Sequence, residues 1–104
     1  MKNLIIIGAR GFGREVFDLA KNTQAFKDGE YQIKGFLDDK SNALDGYQNY
    51  PNILGNVEDY HIQADDIFTC ALGVVEPKKK YAQLILDKGG SFINLVDLQA
   101  NVRS

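Results

Sequence analysis

The hydrophobic positions of this chain change period several times, and the changes mark its elements. Residues 3–7, "NLIII", are a continuous apolar run bounded by Gly8, which predicts a strand buried on both faces. From Gly11 the period lengthens. Phe12, Val16, Leu19 and Ala20 stand at i, i+4, i+7 and i+8, one face of a helix running to about Asn22. The polar stretch "NTQAFKDGE" reads as a connection, and "YQIKGFL" as a second strand, Tyr31 to Leu37, that runs into Asp38 and Asp39. Residues 40–59 mix Asn, Asp and Gly with one Pro. They predict irregular structure holding at most short pieces of strand or one helical turn. A further strand is expected over Asp66 to Leu72, stopping at Gly73. Pro77 then suits the first turn of a helix with Tyr81, Leu84 and Ile85 on one face, closed by Gly89 and Gly90. "SFINL", Ser91 to Leu95, reads as one more strand.

Strands alternating with helices predict an α/β fold, an open parallel sheet with helices on its faces. Right-handed crossovers bring the C-terminal ends of its strands to one edge. Gly8, Asp38 and Gly73 each stand at such an end, so residues distant in sequence are expected to meet at one crevice, the usual ligand site of open α/β sheets.

Composition narrows what that crevice serves. A chain of 104 residues predicts one domain, and a formal charge of −2 provides no general field for nucleic acid or an anionic membrane. With one cysteine and one histidine there is neither an internal disulfide nor a metal-ligand cluster to propose, which points to a reducing cytoplasm. Cys70, inside "IFTCAL", reads as a small buried hydrophobe. The opening apolar run is too short for a signal peptide, and no stretch is expected to span a bilayer.

The candidate chemistry lies at the strand ends. Gly8, Gly11 and Gly13 spell GxxGxG, which differs from the dinucleotide spacing GxGxxG. The turn still lets backbone N–H groups approach an oxyanion at a helix N-terminus, although a tight turn alone also needs such glycines. Arg10 could pair with a phosphate or carboxylate there, or stay solvated. Asp38 and Asp39 follow the turn at about the distance of a ribose-binding acid, with a solvated turn or helix cap as the competing reading. As strand-end neighbours they point apart, which argues against a catalytic dyad or a Mg²⁺ site. Lys78, Lys79 and Lys80 crowd a helix start, where the dipole disfavours cations unless an anion is near; a solvated face is the simpler reading. His61 is expected to face solvent. Tyr47, Tyr50 and Tyr60 are expected to pack, with base stacking as the alternative.

Taken together, "LIIIGARGFGREV", "GFLDD", "LGNVEDY" and the strand-end "ALG" resemble the N-terminal domain of the left-handed β-helix (hexapeptide-repeat) sugar acetyltransferases. The similar branch is that of the sialic acid O-acetyltransferases and bacterial UDP-4-amino-sugar N-acetyltransferases. The resemblance implies a Rossmann-like domain, here residues 1–95, that binds a UDP-sugar acceptor in the cytoplasm. A C-terminal β-helix would trimerise, bind acetyl-CoA and supply the general base. It further implies that Arg10, Gly11 and Phe12, between Gly8 and Gly13, hold the acceptor, that Asp38 and Asp39 contact the uridine, and that Gly73 admits the ligand. Two positions depart from the family: Arg10 stands where a small or polar residue is frequent, and Phe12 where histidine is frequent. Residues 96–104 resemble the lead into a β-helix, with Asp97 and Leu98 in place of the usual His-Pro pair. The expectation is thus an acceptor-binding domain that does not itself acetylate, a monomer or weak dimer without bound cofactor. The alternative is a stand-alone regulatory module for NAD or CoA.

Overall fold

In the computed structural model the described residues are 1–9, 11–40, 42, 44–47, 49–70 and 75–93, with backbone alone for 11, 12 and 75–78. Four parallel strands, β1 (Lys2–Ile7), β2 (Tyr31–Leu37), β3 (Ile53–Gly55) and β4 (Asp66–Cys70), form one sheet in the order β3-β2-β1-β4. A parallel bridge between Phe68 and Phe92 adds the trace of another strand beyond β4. Among the described residues three helices accompany the sheet: α1 (Gly11–Lys21), α2 (Gln24–Lys27) and α3 (Val75–Asp87). This is a Rossmann-like α/β arrangement, and its order reverses between β1 and β4.

The isoleucine run explains the position of β1. As a central strand it is buried on both faces, with Leu4, Ile5 and Ile6 each fully inaccessible. Leu4 and Ile6 pack with Val16, Phe17 and Ala20 of α1, while Ile5 and Ile7 pack with Phe68 and with Ile85 of α3. The strand thus divides the core into two layers. The expected α1 face is rotated slightly toward Phe17, which is buried, leaving Leu19 only partly so. Phe17 earns its place by meeting the rings of Phe36 and Tyr50, at 6.0 and 5.2 Å between centroids.

The polar connection after α1 contains the short helix α2, which hydropathy does not reveal. Thr23 caps it, accepting from the N–H of Phe26 at 3.1 Å, and is fully buried. The same hydroxyl lies 2.7 Å from that of Tyr31, which donates to the carbonyl of Ala20 at 2.6 Å and satisfies an acceptor in the last turn of α1. Burial raises the Tyr31 pKa. At the other helix end, Gly89 and Gly90 close α3 as expected, with Gly90 N–H donating to Ile85 O at 2.8 Å. The described residues between 40 and 59 are irregular apart from β3. The helix α3 begins two residues before Pro77, which keeps Pro77 in its first turn. Of the strands expected at Asp66–Leu72 and Ser91–Leu95, residues 71–72 and 94–95 lie outside the described residues.

Candidate functional site at the carboxyl edge of the sheet

Gly8 ends β1 with φ +103°, a conformation that side-chain-bearing residues rarely adopt, and its N–H donates to Leu37 O at 2.7 Å. Gly13 is needed for another reason. A Cβ there would run into the carbonyl oxygen of Gly8, so its absence lets the start of α1 close onto the end of β1. Two of the three glycines therefore form a mutual contact between helix and strand. That contact places the first turn of α1, whose N–H groups lack partners within the helix, at the carboxyl edge of the sheet. Gly11 and Phe12 are the first two residues of this turn.

Asp38 joins the same turn from β2. Its Oδ2 accepts from the N–H of Ala9 at 2.9 Å, and its Oδ1 accepts from the N–H of Lys40, also at 2.9 Å. The convergence of Gly8 and Asp38 expected from the parallel topology is present. Part of the work of this carboxylate is to hold the glycine turn against the exit of β2.

Asp39 points elsewhere, as adjacent residues leaving a strand do. It is exposed, and its Oδ2 accepts from the hydroxyl of Tyr81 on α3 at 2.7 Å. Among the described residues its other oxygen has no hydrogen-bond partner. The hydrogen bond to Asp39 is the main cause of a raised Tyr81 pKa, with burial adding to it, so the phenol stays a neutral donor at neutral pH. Tyr81 is the site residue that sequence reasoning missed. Its helical spacing with Leu84 and Ile85 predicts core, and its ring does pack on the α3 layer. Only the phenolic oxygen, near the start of a helix that follows a strand end, hinted at more.

Arg10 and Gly73, the remaining expected contacts, lie outside the described residues, as do residues 96–104. Lys79 and Lys80 are exposed, and the Lys80 ammonium lies 3.7 Å from Glu58. Among the described residues no group of three potential metal ligands occurs, and no helix is long and apolar enough to cross a membrane.

A second polar constellation lies away from these strand ends. The register of β1 and β2 shifts at Lys34, and Lys34 Nζ donates to Tyr60 Oη at 2.7 Å and to Asp66 Oδ1 at 3.2 Å. Asp66 Oδ2 accepts from the Tyr60 hydroxyl at 2.7 Å and from the N–H of Gln63 at 2.8 Å, and its side chain is fully buried. The hydrogen bond to Tyr60 is the leading cause of a raised Lys34 pKa; burial leads in raising that of Tyr60. Lys88 clips the same segment by donating to the carbonyls of Val57, Glu58 and Tyr60. His61 is exposed, as expected, and lines a groove of about 410 Å³ with Lys34, Leu54 and Tyr60, but with neither Asp38 nor Asp39. It is thus placed with the Lys34 network.

The family model described as the PglD N-terminal domain matches residues 3–85, which span β1 through most of α3. No curated protein matches the chain.

Proposed function

The chain belongs to the PglD N-terminal domain family, the N-terminal domain of PglD-like acetyltransferases, and we propose that its crevice binds the acceptor, a UDP-sugar. The observation that carries the proposal is the meeting of three elements at one sheet edge: the Gly8 turn, the Asp38 carboxylate on Ala9 N–H, and the Asp39–Tyr81 bridge. Each part has a role in this reading. The glycine turn and the first turn of α1 offer backbone N–H groups to phosphate oxygens, and the family resemblance implies Arg10, Gly11 and Phe12 as further acceptor contacts. Asp39 offers an exposed carboxylate oxygen to the hydroxyl or N–H donors of the uridine. Asp38 ties the glycine turn to the exit of β2, and Gly73 is a further contact that the family resemblance implies.

On this reading the residues described here bind and orient the acceptor in the cytoplasm. They are given no acetyl-CoA site and no catalytic base, because attack by a sugar amine or hydroxyl on a thioester needs a positioned base near the acceptor. His61 lines the groove beside Lys34 instead. The family's β-helix domain would supply the donor site, the base and the trimer contact.

Calorimetric titration with UDP-sugars, UDP, NAD and CoA tests the proposal. Saturable heat with the uridine nucleotides at millimolar concentration or below, and weaker binding of NAD and CoA, is the expected result. No heat with any uridine nucleotide, or a preference for NAD, would overturn it.

A further inference from the structure

We infer that Arg14, stacked on Tyr47, is a cation that recognises the diphosphate of the nucleotide ligand; the inference rests on the proposed reading of the crevice. A diphosphate brought to this edge meets the exposed Asp39 carboxylate, so positive charge nearby favours binding. Arg14 lies in the first turns of α1, one residue beyond the Gly13 contact with Gly8. Helical side chains lean toward the N-terminus of their helix, which carries its guanidinium toward the carboxyl edge of the sheet.

The guanidinium carbon lies 3.9 Å from the centroid of the Tyr47 ring, the separation of a stacked pair. Tyr47 belongs to the segment that leaves β2 through Asp38 and Asp39, so the stack joins α1 to that exit. Among the described residues Arg14 makes no ion pair and no side-chain hydrogen bond. Stacking leaves the N–H donors of a guanidinium in its own plane, directed sideways from the ring and spaced to grip two phosphate oxygens.

Lys2 at the start of β1, and Lys21 and Lys27 in the last turns of α1 and α2, lie toward the other edge of the sheet, and the remaining described lysines are committed or unfixed. Lys34 is held by Tyr60 and Asp66, Lys88 by three carbonyls, and Lys80 is nearest Glu58. Lys40 and Lys79 are exposed, with no described contact to fix their side chains, and would lose rotamer freedom on binding. Arg14 is already ordered by its ring. Its predicted effect falls on the phosphates and spares the base and ribose.

The test compares UDP with uridine on the intact chain, by calorimetry, for the wild type, Arg14→Gln, Arg14→Lys and Tyr47→Leu. The wild type is expected to prefer UDP. Arg14→Gln should weaken UDP binding about tenfold or more while leaving uridine within about twofold, because one charge-assisted interaction is lost. Arg14→Lys should recover part of the loss, and Tyr47→Leu should weaken UDP binding several-fold by releasing the guanidinium. If the wild type binds UDP and Arg14→Gln binds it equally well, this inference fails while the nucleotide reading stands. If the wild type binds neither UDP nor uridine, both fail.

Discussion

Two tyrosine–aspartate hydrogen bonds of the same length, 2.7 Å, sit in opposite settings. Tyr60 donates to Asp66, whose side chain is fully buried and also receives the Lys34 ammonium and the N–H of Gln63. Tyr81 donates to Asp39, whose carboxylate is exposed and has one oxygen without a described partner. Saturation distinguishes them. Every strong donor around Asp66 is used internally, so the pair fastens the segment before β4 to β2. The Asp39 pair spans from the exit of β2 to α3 and keeps acceptor capacity facing solvent. A ligand can exchange with the second pair at little cost to the fold, whereas the first can only be broken.

The sharpest way to break the comparison is to remove each carboxylate. Asp66→Ala strands a lysine and a phenol and is expected to cost about 3 kcal/mol in denaturant unfolding. Asp39→Ala should stay within about 0.5 kcal/mol by the same measurement, yet weaken UDP binding about tenfold. Gly13→Ala comes next. Its methyl group has to displace the Gly8 carbonyl, with an expected loss of about 2 kcal/mol and of nucleotide affinity together, because the turn moves.

Removing the hydroxyls makes a finer version of the contrast. Tyr60→Phe leaves a buried carboxylate short of a donor and is expected to cost about 1.5 kcal/mol, against less than about 0.5 kcal/mol for Tyr81→Phe, whose lost hydrogen bond is exposed. The smallest effect is on pH dependence. Lys34, Tyr31, Tyr60 and Tyr81 all have raised pKa values, so the folded state holds these protons more tightly than the unfolded chain. Their contribution is complete below the ordinary tyrosine value of about 10 and lost as pH rises through the folded values. Thermal midpoints should therefore be level in this respect from pH 7 to 9 and fall above pH 10. The fall should shrink in Tyr60→Phe more than in Tyr81→Phe.

Much of the fold was legible because its signals are local. Three consecutive isoleucines before a glycine can hardly be anything but a buried strand, and a shift from continuous apolar residues to helical spacing at Gly11 marks the βα turn. Parallel topology then implies the meeting of Gly8 with Asp38. What stayed hidden depends on contacts far apart in sequence. The α2 helix of four residues is set by the Thr23 cap and the Tyr31 hydroxyl, and carries almost no periodicity of its own. Lys34 looks like a solvated strand residue until the bulge aims it at Asp66, 32 positions away. Tyr81 reads as core by its spacing, since hydropathy does not report where a phenolic oxygen ends. Gly13, finally, looked like a ligand contact, and the structure adds a packing reason for the same residue.

In the proposed reading, ligand binding belongs to the carboxyl edge, with the Asp39–Tyr81 pair, and the Lys34–Tyr60–Asp66 region fastens the fold. Amide chemical-shift mapping during a titration with UDP tests this most directly. Saturable shifts are expected at Gly8, Ala9, Gly13, Asp38, Asp39 and Tyr81, with Asn56 to Asp66 unmoved. No shifts at millimolar UDP, or shifts centred on Lys34, Tyr60 and His61, would contradict it.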